Sequence, residues 1–206
     1  MNFLPFAILP FIQGIGLGAA MLIPIGAQNS YVLNQSIKRN NHIAAATICV
    51  VFDITFMTIG VYGGSVMLSE YTLLMRIITW AGAVFLFCYG FASIKAGIKR
   101  TNPQTAPDNE HKPLKVVILT TLAVTLLNPH VYLDTVVIVG SVSAQFEGSD
   151  KTAFAIGIML ASALWFSCLS LGGAKMSNLL NRPKVRAGID IFMGLLMWFI
   201  ALTLIS

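Results

Sequence analysis

Asn128, Pro129, His130, Tyr132 and Asp134 fall within seven consecutive positions, Asn-Pro-His-Val-Tyr-Leu-Asp, inside a long apolar run. Pro24, Gly26, Gln28 and Asn29 sit in an earlier apolar run, and Asp53 stands near the middle of the next. These residue types are costly in hydrocarbon. An ionised Asp at a membrane helix centre costs roughly 2.5–3.5 kcal/mol on insertion scales. Proline removes a backbone donor and collides with the carbonyl four residues back; for Pro24 and Pro129 that is the carbonyl of Ala20 and of Thr125. Ionisable groups kept at such depth commonly mark substrate or ion paths. The carboxylates Asp53 and Asp134 suit two tasks: one pairs with a cationic group, and either can carry a coupling proton. Carbonyls freed at a helix break accept from ammonium or guanidinium donors, and amides at a half-helix start bind a carboxylate. The set fits a zwitterionic or cationic amino acid, with Asn128, Gln28, Asn29, His130 and Tyr132 along the path and Pro24, Gly26 and Pro129 setting the breaks.

Plainer readings stand beside these. The prolines serve as kinks, which membrane helices tolerate. Gln28 and Asn29 act as interhelical glue, and His130 packs as a neutral ring. Asp134 lies near the outer surface, and Asp53 forms an internal ion pair with Lys95. Tyr132 and Trp165 stack on a cation or simply pack. Asp190, beside a basic turn, reads as interfacial.

The elements that must position these residues follow from composition. Of 206 residues, 56% are hydrophobic and only 10% charged, with a mean hydropathy of +0.79. Soluble domains average about 25% charged, so the expected fold is an all-α integral membrane protein in a lipid bilayer. At about 20 residues per span, the chain has room for six helices. The apolar runs extend from Phe3 to about Leu33, Ile43 to Met67, Leu73 to Ile98, Val116 to Val142, Thr152 to Ala174 and Val185 to Ile205. Gly148-Ser149-Asp150 reads as closing the fourth. Gly14 with Gly18, and Gly60 with Gly64, are small-xxx-small pairs that let helices approach closely. Asp53, Gly60 and Gly64 share one helix face, so Asp53 should face packed helices or a water-filled cavity. The glycine pairs serve packing within the chain or a homo-oligomer.

The chain reads as two three-helix halves, residues 1–98 and 116–206, joined by a polar linker, 99–115. Each half opens with a proline-broken helix. An odd number of spans per half makes them inverted repeats, and matched broken helices point to a transporter's binding site. The loops after the first, third and fifth runs, with their flanks, hold 11 of the 13 Lys and Arg. The positive-inside rule places these loops in the cytoplasm. The net charge of +5 therefore suits membrane orientation better than nucleic-acid binding. Cys49, Cys88 and Cys168 lie in three different runs without metal-ligand spacing and read as small buried hydrophobes. No catalytic, cofactor-binding or metal-binding pattern is present, so the chain does not read as an enzyme.

Pro24-Ile25-Gly26-Ala27-Gln28-Asn29, Asp53, Trp80-Ala81-Gly82, Leu164-Trp165-Phe166, Met197-Trp198-Phe199-Ile200-Ala201-Leu202 and above all Asn128-Pro129-His130-Val131-Tyr132-Leu133-Asp134 resemble the LysE family of basic amino-acid exporters. The resemblance covers essentially the whole chain. It implies a bacterial inner-membrane exporter of L-arginine, extending to lysine or the analogue canavanine, in which the two intramembrane aspartates matter. They match Asp53 and Asp134. Gly26-Ala27 stands where the family often has Gly-Pro, which implies a milder first break, and Leu126 where it often has Trp. Family members with fewer true spans than hydropathy suggests leave five spans beside six. Moving a cation outward is uphill by about 2.3 kcal/mol per charge per 100 mV, so a secondary exporter needs coupling to protons or to the membrane potential, with proton antiport through Asp53 or Asp134 the natural route. The rivals are export of a neutral amino acid of the homoserine or threonine type, export of a metal cation, an ion channel and a structural membrane subunit.

Overall fold

Long apolar stretches in a bilayer satisfy their backbone only by closing their own hydrogen bonds, and this chain does so almost throughout. The computed structural model describes residues 7–24, 26–63, 72–101, 112–180 and 182–205. Gly64, the turn at Ser69-Glu70-Tyr71 and linker residues 102–111 lie outside them. The described residues form α1 (Ile8–Leu22), α2 (Ala27–Ile37), α3 (His42–Gly63), α4 (Thr72–Thr101), α5 (Leu114–Leu126), α6 (Pro129–Ser143), α7 (Gly148–Lys175), α8 (Ser177–Leu180) and α9 (Pro183–Ile205). Helices α3, α4, α7 and α9 are long and apolar enough to cross a membrane, and the bent pairs α1/α2 and α5/α6 bring the total to as many as six. Gly148, Ser149 and Asp150 open α7 rather than close the preceding run.

The two breaks are built differently. Helices α1 and α2 meet at 80°, so the first break is sharp. Pro24 lacks a donor, and Gly26 lies extended before the first turn of α2. The Asn29 side chain then stabilises the bend by donating to the carbonyls of Leu22 (2.6 Å) and Pro24 (2.9 Å). Helices α5 and α6 meet at 61°. There Asn128 caps α6, its Oδ1 accepting from the His130 amide at 3.2 Å, and Pro129 takes the first helical position, where no donor is needed. The Tyr132 hydroxyl donates to the Leu126 carbonyl at 2.8 Å across the bend. Beyond it, α6 widens into a π-helical stretch over Leu133–Ile138.

The most extensive packings join α4 to α9, α1 and α2 to α7, and α3 to α6 and α7. Glycines permit the closest approaches. A Cβ at Gly90 would lie 2.8 Å from the Gly194 carbonyl, and one at Gly194 would lie 2.7 Å from that of Gly90. This reciprocal contact is the crossing point of α4 and α9. Gly14 and Gly18 lie against Phe154, Ile158 and Ala161 of α7, and Gly60 lies against the Thr135 carbonyl of α6. Tyr31, Cys49 and Phe166 centre one buried cluster, and Met57, Phe154 and Ile158 another. The outer surface is apolar as well, with Trp80, Phe91, Leu171 and Phe199 exposed. Cys88 and Cys168 belong to that outer face, and only Cys49 is buried. Lipid is as apolar as the protein interior, so an apolar run does not tell which way a cysteine faces.

Candidate functional site

Where the two breaks face the middle of α3, the helices enclose a cavity of about 260 Å³. Gln28, Asn29, Asp53, Asn128, His130 and Asp134 all line it, together with Pro24 and Gly26. With Ile200 and Thr203, residues from four separated stretches of sequence thus meet at one place. Tyr132 and Pro129 do not line it. Tyr132 packs on Phe56, with ring centroids 5.1 Å apart, and braces the second break through its hydroxyl.

Asp53 forms the floor. It is 2% exposed, and its Oδ2 accepts from the Ser162 hydroxyl of α7 at 2.6 Å. Lys95 is exposed, and the anticipated Asp53–Lys95 ion pair does not form. Neutral side chains alone face the carboxylate, the Ser162 hydroxyl and the nearby Gln28 amide, and they leave it acceptor capacity to spare. Beside it on the wall, the buried Gln28 has an Nε2 without a hydrogen-bond partner. A buried unpaired donor is costly, so this amide is available to a group entering the cavity. Asp134 is half-buried in the first turn of the π-helical stretch, and exposed His130 lies one helical turn before it, at the rim.

Asn29 touches the cavity, but its amide is already committed. Besides the two carbonyls it holds, its Oδ1 accepts from the Trp165 Nε1 of α7 at 3.2 Å. These are the bonds of interhelical glue, and they hold α1, the break and α7 together. Replacing Asn29 with alanine should cost about 1–3 kcal/mol and lower the melting temperature of the detergent-solubilised protein by several degrees. Trp165→Phe, which loses one bond, should cost about 1 kcal/mol. Equal melting of Asn29→Ala and the parent would show that these bonds do not hold the bend.

Ser162 and Trp165 escaped the reading of the sequence, Ser162 entirely and Trp165 in its role. A faint signal exists: they are three apart, which places both on one face of α7, and a serine in an apolar run seeks a partner. Thr135, Thr203, Met57 and Ile200 also line the cavity and carry no such mark.

A second polar cluster corrects the reading of Asp190 as interfacial. Asp190 is 2% exposed and Arg186 1%. Their side chains pair at 3.5 Å (Nε to Oδ2) one turn apart on α9. Arg186 Nη2 also donates to Asn34 Oδ1 of α2 at 2.6 Å, and the Ser93 hydroxyl of α4 donates to the Asp190 carbonyl at 2.8 Å. The close crossing of α4 and α9 explains the burial, since it covers the first turns of α9 beside the basic turn. Helix α2 is itself unusual: it carries six Asn, Gln and Ser residues, yet only Leu33 in it is not buried.

Comparison with known proteins agrees with this architecture. The family profile "LysE type translocator" matches residues 19–206. The chain is 42% identical over 194 residues to the arginine exporter protein ArgO of Pectobacterium carotovorum, covering 94% of this chain and 95% of that protein. It is 41% identical over 194 residues to the ArgO of Yersinia enterocolitica, with 94% and 95% covered. Against the ArgO of Escherichia coli K12 it is 40% identical over 194 residues, with 94% and 92% covered. No solved structure matches. With similarity reaching from the first helix to the last, the chain is a multi-pass bacterial membrane protein and belongs to the family of LysE type translocators.

Proposed function

We propose that this protein is a secondary transporter that exports L-arginine across the bacterial inner membrane, with lysine and canavanine as further substrates. The observation that carries the reading is the buried Asp53 carboxylate at the floor of a cavity walled by both helix breaks. An acid held at that depth beside neutral side chains alone is a seat for a cationic head group. The relatives named as arginine exporters, alike over nearly their full length, favour guanidinium as that group. Neutral amino acids leave the acid without a task. Among the described residues no three His, Cys, Asp or Glu side chains stand together as a metal site, which disfavours a metal cation as cargo. A cavity of about 260 Å³ lies just below the range of drug-sized ligand pockets, roughly 300–1,000 Å³, and suits one amino acid.

In this reading the Asp53 carboxylate pairs with the substrate guanidinium and the Gln28 Nε2 adds a donor to the site. The first turn of α2 lines the cavity, and its unpaired amides receive the α-carboxylate. Asp134 and His130 form the outer side of the path, and Asp53 or Asp134 carries a proton inward in exchange. The basic loops face the cytoplasm. The halves, 1–98 and 116–206 about the linker 99–115, are inverted repeats. Asn29 stands five residues after Pro24, as Asp134 stands five after Pro129.

The test is labelled arginine uptake into inverted membrane vesicles from cells lacking their own exporter. Saturable uptake, competed by lysine and canavanine but not by threonine, is the expected result. Non-saturable flux would favour a channel. Absence of arginine uptake would remove the substrate assignment.

A further inference from the structure

The protein already holds a guanidinium inside itself, away from the cavity. Along α2, Asn34 lies six residues past Gln28, about 9 Å at 1.5 Å per residue, toward the basic end. Along α9, Asp190 precedes Ile200 of the cavity wall by ten residues, about 15 Å, in the same direction. Tyr31 follows Gln28 by three residues, Cys49 precedes Asp53 by four and Phe166 follows Ser162 by four, each about one turn toward the basic end, and all three are buried in one cluster. The seam of α2 and α9 is therefore shut at the basic end, whereas the other side of the cavity carries the exposed Pro24 and His130. A substrate arriving from the basic end must part this seam, and the groups it meets there are Asn34 and Asp190, gripping Arg186.

We propose that Asp190 and Asn34 form a cytoplasmic subsite for the substrate's guanidinium, and that Arg186 fills it as a tethered stand-in while the cavity is closed to the cytoplasm. This rests on the export reading above. The site suits this head group: an amide oxygen accepts from one nitrogen of the planar guanidinium, and a carboxylate oxygen stands 3.5 Å from another as its counter-charge. An ammonium lacks that fork, so arginine is the better competitor and lysine the poorer. When an incoming arginine takes Asp190 and Asn34, Arg186 swings away, the α2–α9 seam loses its tie and the substrate advances to Asp53. Release of the substrate outward lets Arg186 return, which keeps the cytoplasmic side shut on the empty cavity. Tyr89 lies beside the pair, packs edge-on against Tyr31 at 5.8 Å and sits under the Lys112 ammonium at 5.9 Å, so movement here is transmitted to the start of α5.

Cys49 provides a native reporter, since it is buried in the layer between cluster and cavity. In a chain whose exposed Cys88 and Cys168 are replaced by alanine, its labelling by a membrane-impermeant maleimide is followed in inverted and in right-side-out vesicles. Loss of a charge-assisted tie should raise the open population, and with it the labelling rate in inverted vesicles, about tenfold or more for Arg186→Gln and for Asp190→Asn. Arg186→Lys should fall between these and the parent. Millimolar L-arginine should alter labelling of the parent more strongly than lysine does, and threonine should have no effect. Equal rates in parent and variants would overturn the plug. Faster labelling from both faces would show only a loosened fold, which also overturns it. Faster labelling of the variants, with arginine no more effective than threonine on the parent, would overturn the subsite. Arginine efflux by the same parent chain is measured alongside. Its absence defeats the export reading, whereas normal efflux with unchanged Cys49 rates defeats only the present inference.

Discussion

Asp53→Asn is expected to abolish arginine export while leaving the protein in the membrane at its normal abundance. Asparagine has nearly the shape of aspartate and keeps an oxygen that accepts from Ser162, so the packing of α3 against α7 at this point is retained. What it loses is the charge. Removing one partner of a buried ion pair costs about 3–5 kcal/mol, and even the lower figure is on the order of a hundredfold in binding. The measurement is efflux of preloaded arginine, normalised to the amount of transporter in the membrane. Full efflux by the variant would take Asp53 out of the substrate path. Loss of efflux together with loss of the protein would assign the acid to folding. Ser162→Ala separates the two roles further, because it removes a neutral donor and leaves the charge, and it should reduce export far less.

Gly60→Ala should damage the protein more than any other single methyl added to α3. The added Cβ would run into the Thr135 carbonyl, which is backbone and cannot swing aside. The same addition three residues later, at Gly63, meets only the Ile59 side chain at 3.5 Å, an ordinary contact. Overpacking of a tight contact costs about 1–3 kcal/mol, and here the strain falls on the π-helical stretch that carries Asp134. Gly60→Ala should therefore melt several degrees below the parent and lose part of its transport, while Gly63→Ala should match the parent in both. Equal melting of the two variants would mean that α3 and α6 can separate at no cost.

Much of the site could be read before the structure, because a polar residue in an apolar run has few explanations. Asp53, Gln28, Asn128 and Asp134 stood out in this way, and the prolines marked the bends. What could not be read depends on which helices meet. Ser162 looks like any small residue until α7 is laid against α3. The sequence offers Asn29 both as a substrate contact and as glue, and only the positions of Leu22, Pro24 and Trp165 show how its amide is spent. Arg186 and Asp190 follow a turn rich in bases, where the usual expectation is exposure to water. They are covered because Gly97 lets α4 close on α9 at Ala187 and Ile191, beside them, and no local pattern contains that fact. The first break shows the same limit: its sharpness comes from an asparagine side chain reaching back five and seven residues.

The largest helix contacts all join helices that precede residues 102–111 to helices that follow them: α1 and α2 lie on α7, α4 on α9, and α3 on α6 and α7. This matters during synthesis. When the ribosome has delivered the first hundred residues, α1 and α4 have no partner yet, and Asp53 has no Ser162. The nascent chain must hold a buried acid and a sharply bent first helix in the lipid until α7 arrives. Until α9 follows, Arg186 is absent and Asn34 waits unfilled. Assembly is therefore an event of the finished polypeptide, and a chain truncated in the linker would leave the quality-control proteases a set of unmated helices.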